Sequence, residues 1–278
     1  MILIADSGST KTDWALVEGA QHTVVTTQGI NPFHQSREEI LRIMNEELRP
    51  QMKDHHVDSV CFYGSGVRLE MEPVMEALFR EAFPSVTSAE AHSDLLGAAH
   101  ALCGRNEGIA CILGTGANSC LYDGDHIVKN TPALGYILGD EGSGAVMGKR
   151  FLHDLYSGYL SENIKVDFEA STGLSLPEII RRVYREPMPN RFMASLSTYI
   201  HAHLGHPELY ELVTNCLAEF LIVHIAPYHR RDLPVSFVGS IAWYYKEALY
   251  EVADDLDFMI GTIMRSPLEG LVRYHSQS

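Results

Sequence analysis

Two segments of the chain carry one pattern twice. MILIADSGSTKTDWALV at residues 1–17 and GIACILGTGANSCLY at 108–122 each read as an apolar strand, a Gly/Ser/Thr turn and a returning strand. Turns of this composition aim backbone N–H groups at an anion, and two such hairpins facing one another would hold a polyphosphate. The repeat makes nucleotide-dependent phosphoryl transfer the leading chemistry.

At 278 residues and 46% hydrophobic the chain can bury a large core, and the duplicated turn favours two domains over one. A formal net charge of −15 disfavours nucleic-acid or anionic-membrane partners, which would repel it at long range. Arg181, Arg182 and Arg185 on one predicted helix, and Arg230 with Arg231 in a turn, read as solvated faces. An anionic ligand must then be held by local N–H groups, Lys11 or a bound cation.

Cys61, Cys103, Cys111, Cys120 and Cys216 are odd in number and lack any CxxC spacing. That pattern argues against disulfide frameworks, zinc sites and iron–sulfur clusters and fits small core residues in a reducing compartment. The histidine groups His55/His56 and His201/His203/His206 lack a carboxylate or cysteine partner at metal-site spacing. MILIA stops at Asp6, too short for a secretory signal, and the apolar stretch 217–226 is broken by Glu219 and His224. A soluble cytoplasmic protein without a membrane partner is expected.

Strands are expected at 1–5, 13–17 and 22–27, followed by a helix from Ser36, where Ser36 and Glu39 form a capping box, to Pro50. Then come a strand at 58–63, a helix at 72–83, a strand at 86–91 and a helix at 93–103. The second half repeats three strands at 108–113, 118–122 and 126–130. Helices follow over 142–160, 176–185 (capped by Ser175 and Glu178), 191–204 and 208–226. A buried strand at 235–238, a helix to 252, a strand at 256–260 and a helix at 267–274 end the chain. The Gly104–Arg105–Asn106 turn is the expected boundary, giving domains 1–105 and 106–278, the second with a helical insertion.

Asp6 ends the first strand beside Ser7, Gly8, Ser9, Thr10, Lys11 and Thr12. A carboxylate there can hold the Mg²⁺ of MgATP, with the turn's amides and the Thr10 hydroxyl on the phosphates. The segment is not a Walker A loop, and it equally fits a plain hairpin. Gly114, Thr115 and Gly116 form the partner turn. Gly239 and Ser240 follow a buried strand and suit a close approach of backbone to adenosine, or simply a strand-to-helix turn. Asp94 opens a helix, where dipole and N–H groups hold a carboxylate ionised; it is the candidate base, or else only a first-turn residue. Asp140 and Glu141 sit in a glycine-bounded turn that suits a neutral polyol or a helix N-terminus. Asn31 offers an amide to the same ligand or shapes an Asx turn.

DSGSTKTDW at 6–14, YGSGV at 63–67, SDLLGAAHA at 93–101, LGTGANS at 113–119, LGDEGSGAVMG at 138–148, FVGSIA at 237–242 and SPLEGLVRY at 266–274 stand in family order. The chain resembles the N-acetylglucosamine kinase branch of the BadF/BadG-type ATPases, within the actin/hexokinase/Hsp70 superfamily. The resemblance implies an α/β fold of two ribonuclease-H-like (actin-like ATPase) domains, each a mixed sheet flanked by helices, with ATP in the cleft between them. It assigns residues 6–12 and 113–116 to phosphates, 239–242 including Ala242 to adenosine, Asp6 to the metal and Asp94 to base duty. Asn31, Thr115, Gly116, Asn118, Gly135, Tyr136 and Asp140 join Asp94 around the sugar, with Tyr136 near where some relatives place a tryptophan. The implied reaction is ATP plus an amino sugar, most often N-acetylglucosamine, giving the 6-phosphate and ADP, with Mg²⁺ and in many members a homodimer. Glucosamine or another hexosamine is the alternative acceptor, and an ATP-hydrolysing activator or sensor the alternative of another class.

Overall fold

A computed structural model describes the chain at residues 1–8, 10–19, 21–52 and 56–276. These fall into two compact units. The first comprises Met1–Asn106, Gly124–His126 and the C-terminal stretch from Ser266; the second comprises Glu107–Asp123 and Ile127–Arg265.

The first unit holds β1 (Ile2–Ser7), β2 (Lys11–Glu18), β3 (Gln21–Gln28), α1 (Arg37–Arg42), β4 (Ser59–Gly64), α2 (Glu72–Ala82), β5 (Ser88–Ser93) and α3 (Asp94–Cys103). Its sheet runs β3-β2-β1-β4-β5, antiparallel from β1 through β3 and parallel across β1, β4 and β5. Strand side chains alternate between faces. Leu3, Ala5, Trp14 and Phe62 therefore enter one core layer with Phe79 of α2, while Ile4, Ala15, Cys61 and Tyr63 enter the other.

The second unit repeats the plan. It holds β6 (Gly108–Leu113), β7 (Ala117–Tyr122), β8 (Ile127–Thr131), α4 (Gly135–Leu138), α5 (Gly144–Tyr156), α6 (Glu162–Thr172), α7 (Leu176–Arg185), α8 (Pro189–Ser195), α9 (Ser197–Ala202) and α10 (Pro207–Phe220). After these come β9 (Val235–Val238), α11 (Ser240–Tyr244), α12 (Lys246–Asp255) and β10 (Ile260–Met264). The sheet order β10-β9-β6-β7-β8, read from β8, matches the first sheet strand for strand: an antiparallel meander, then two parallel additions. The last helix, α13 (Leu268–Ser276), returns to the first unit, where Leu268, Leu271 and Val272 cover Ile4, Val17 and Tyr63.

Several expected boundaries move for local reasons. The Ser36 capping box forms, with the Ser36 hydroxyl accepting from the Glu39 N–H and the Glu39 carboxylate from the Ser36 N–H. Pro50 does not end that helix, because the chain relaxes into a π-turn over Ile43–Leu48 and a 3-10 turn over Arg49–Met52 that tolerates its missing N–H. The box expected at Ser175 is absent, since Arg181 and Arg182 take the Glu178 carboxylate at 2.8–2.9 Å. Helix α6 was not foreseen; it buries only Ile164 and Phe168, too thin a stripe for periodicity to show. The expected helix 191–204 is two, α8 and α9. The last strand starts at Ile260 rather than 256, after a left-handed turn at Asp257 and a buried Phe258. The stretch Pro207–Tyr228 is long and apolar enough to cross a membrane by length and composition, and half of its most apolar window is buried in the protein.

Candidate functional site

In the first unit the functional candidates gather at the carboxyl ends of parallel strands, the usual ligand side of such sheets. Asp6 is next to last in β1, opposite Asp13 on β2 and beside Tyr63 on β4; Ser93, next to Gly64, hands the chain to Asp94. Burial, then repulsion from Asp13 and Asp94, pushes the Asp6 carboxyl up to about 7, against the pull of Lys11 and a hydrogen bond from Ser266. Asp94 also lies above the usual carboxylate range. Its burial outweighs the N–H bonds it accepts from Leu95 and its own backbone, which corrects the expectation that the helix start keeps it strongly acidic.

The turn between β1 and β2 is closed by the Gly8 N–H donating to the Lys11 carbonyl at 3.0 Å, so that amide serves the turn itself. Ser9 lies outside the described residues. Thr10 and Lys11 are exposed, with the Lys11 ammonium 2.5 Å from Asp13. Thr12 is buried, and its hydroxyl is engaged by Ser7 at 2.6 Å and by the Ile30 N–H at 3.2 Å. That bond fixes the start of the Asn31 turn, where Asn31 Oδ1 accepts the Phe33 N–H at 3.0 Å as an Asx turn. Asp13, not singled out from the sequence, is legible only once the hairpin register sets it across from Asp6.

In the second unit three loops meet. Gly114 N–H closes its own turn on the Gly116 carbonyl at 3.0 Å, leaving Thr115 exposed at the tip. The Gly144 and Ala145 N–H groups donate to the carbonyls of Gly114 and Thr115, fastening this turn to the start of α5, which Ser143 caps. Gly239, at φ 128°, brings β9 against β6 so tightly that a Cβ would stand 2.3 Å from the Leu113 carbonyl oxygen. Ser240 is exposed at the head of α11, whereas Ala242 is fully buried and serves the core.

Asp140, left-handed at φ 59°, turns its carboxylate to the N–H groups of Ala117 and Gly135 and covers Gly116. Burial raises its pKa, those N–H bonds and nearby His224 oppose the rise, and Glu141 adds to it. Asn118 Oδ1 accepts from the Ser119 N–H and from Asn130, both at 2.9 Å. Tyr136 is half-buried on the short α4, its carbonyl held by Lys149 at 2.9 Å. Thus Thr115, Gly116, Asn118, Gly135 and Asp140 form one neighbourhood within the second unit, and Asp6 and Asp94 one within the first. Among the described residues no group of three or more His, Cys, Asp or Glu side chains gathers as a metal site.

Behind the first neighbourhood, Tyr63 Oη bonds His100 Nδ1 and His275 Nε2, each at 2.9 Å, and His100 stacks on Tyr274 at 4.0 Å. Burial, then repulsion from His275, His92 and Arg105, pushes His100 down to about 3; burial also lowers His275. The unfolded chain, with ordinary imidazoles near pH 6.5, binds protons that the native state refuses. His100 therefore stabilises the fold fully above about pH 6.5 and less as pH falls toward 3, by up to about 1.4 kcal/mol per pH unit, and His275 acts in the same direction. His100→Phe is expected to be less stable than wild type at pH 7, with the gap closing steadily toward pH 4.5 in urea melts. A gap independent of pH would refute the buried neutral imidazole.

Two mixed five-stranded sheets of one topology, each flanked by helices, define the two-domain α/β fold of actin-like ATPases. A scan of family models and a search of curated proteins each find no match. Among solved structures, the "Putative N-acetylglucosamine Kinase" of Porphyromonas gingivalis is 44% identical, spans 100% of this chain and 99% of its own, and superposes with a TM-score of 0.97. The chain belongs to the family of that protein. A second "Putative N-acetylglucosamine Kinase", from Chromobacterium violaceum, is 17% identical over 98% of both chains with a TM-score of 0.74. A non-polymerising MamK mutant bound to AMPPNP is 10% identical over 99% of this chain and 97% of its own, with a TM-score of 0.55. These last two share the fold.

Proposed function

We propose that the protein is an ATP-dependent sugar kinase of the BadF/BadG type that phosphorylates the 6-hydroxyl of an amino sugar, N-acetylglucosamine foremost. The full-length 44% identity to the Porphyromonas gingivalis protein carries the proposal; the AMPPNP held by a protein of the same fold supports nucleotide use. Phosphoryl transfer needs little covalent help and much positioning. Asp94, its pKa raised by burial, orients the acceptor hydroxyl and takes its proton late. Thr10, Lys11 and Thr115, exposed at the tips of their turns, meet the phosphates, and Gly239 with Ser240 the adenosine side. Asn31, Asn118 and Asp140 receive the sugar hydroxyls, with Gly135 and Tyr136 beside them.

Burial lifts Asp6 first and repulsion from Asp13 and Asp94 adds to it, and a cation would relieve that repulsion: Asp6 would hold Mg²⁺, which keeps most of its waters and phosphate oxygens as ligands, so a single protein carboxylate suffices. When bound, the ion supplies neutralisation of charge on the β- and γ-phosphates. The site of transfer is tested by ³¹P NMR of the product. A phosphomonoester coupled to the two C6 protons is expected, and coupling to the single anomeric proton would refute 6-phosphorylation.

A further inference from the structure

His224 ties both candidate sugar segments of the second unit to one point. It lies in the π-helical turn Leu221–Ile225 that continues α10, an irregularity that recurs at functional sites. Its side chain is buried, stacks on Phe220 at 5.0 Å and bonds Glu141 Oε2 through Nε2 at 2.8 Å. Its backbone carbonyl accepts from the hydroxyls of Ser119 at 3.3 Å and Thr131 at 3.0 Å. Glu141 adjoins Asp140, and Ser119 adjoins Asn118. The loop docks again at Gly142, where a Cβ would stand 2.6 Å from Phe220 Cβ, so the 139–142 turn is seated on the helix at two successive residues.

Packing alone does not call for an imidazole. A phenyl ring would stack on Phe220 as well and would not strand a buried nitrogen, whereas His224 Nδ1 is buried without a partner among the described residues. Leaving such an atom unsatisfied is costly, so the Nε2 bond to Glu141 is what the imidazole contributes in return.

We propose that His224 is a positioning residue for the sugar site, its ring holding the Asp140 loop and its carbonyl the Asn118 strand in one register. The proposal rests on the sugar-kinase assignment of Asp140 and Asn118.

The test compares His224→Phe with His224→Gln, which keeps a side-chain N–H donor. Hydrogen exchange is followed in peptides covering 117–131 and 135–144, with 146–156 as reference, alongside kinetics with N-acetylglucosamine and ATP. In the Phe variant exchange is expected to quicken in both segments and not in the reference, and the sugar KM to rise about tenfold, the factor that roughly 1.4 kcal/mol produces, with the ATP KM unchanged. The Gln variant is expected to restore both readings most of the way. Wild-type exchange in the Phe variant, quickening confined to one segment, or an equal rise of both KM values overturns the proposal. If the wild-type protein shows no hexosamine-dependent turnover, the sugar-kinase assignment fails, while the exchange arm alone still decides whether His224 couples the two segments.

Discussion

Asp94→Asn is expected to lower kcat by about 10²–10⁴-fold while ATP still binds with near wild-type affinity, since only the proposed proton acceptor is lost. The amide is nearly isosteric and retains an oxygen for the N–H bonds at the start of α3, so the fold should persist. Burial puts the Asp94 pKa above the ordinary carboxylate range. In the wild-type enzyme kcat/KM should accordingly decline as pH falls through that raised pKa, because the protonated acid cannot accept the hydroxyl proton. The acid limb assigned to Asp94 should vanish from the residual activity of the variant. Unchanged turnover, or an acid limb that survives the substitution, would remove Asp94 from the mechanism.

Asp6→Asn should do two opposite things. A carboxyl raised from 3.8 to about 7 in the native state favours folding only while protonated. Its contribution is present below about pH 4, is lost as pH rises toward 7, and above that the ionised group costs at most about 4 kcal/mol relative to an unperturbed one. The neutral amide escapes that cost. The metal-free variant should therefore melt at a higher temperature than wild type at pH 8, with the advantage shrinking to nothing near pH 4. Turnover with MgATP should fall by orders of magnitude in the same protein. This opposition of stability and activity marks a site where carboxylates are crowded for a ligand rather than for the fold. A variant less stable than wild type at pH 8 would show Asp6 to be an ordinary structural acceptor.

The sequence carried the architecture because the two halves announce themselves locally: apolar strands around Gly/Ser/Thr turns at 1–17 and 108–122, and strand alternation that sorts Leu3 from Ile4. It drew attention to Asp94 and Asp140 as candidates because each stands at a punctuated start of a helix or turn. What it could not show depends on contacts distant along the chain. Asp13 meets Asp6 only through hairpin register. His100 and His275, far apart in sequence, meet on one tyrosine hydroxyl. His224 sits in a π-helical turn and bonds Glu141, which lies far from it along the chain. Glu178, read as a cap, is drawn away by two arginines of its own helix, a competition that short motifs leave out. The raised Asp94 pKa likewise follows from burial, whereas position at a helix start alone pointed the other way.

A sugar kinase of the proposed kind couples nucleotide cleavage to a hexosamine acceptor. Coupled ADP release, measured with MgATP in the presence and absence of N-acetylglucosamine, glucosamine and N-acetylmannosamine, tests it most directly. Release that is near background without sugar and rises steeply with N-acetylglucosamine is the predicted result. Steady hydrolysis indifferent to every sugar would contradict it and leave an ATP-driven activator or sensor in its place.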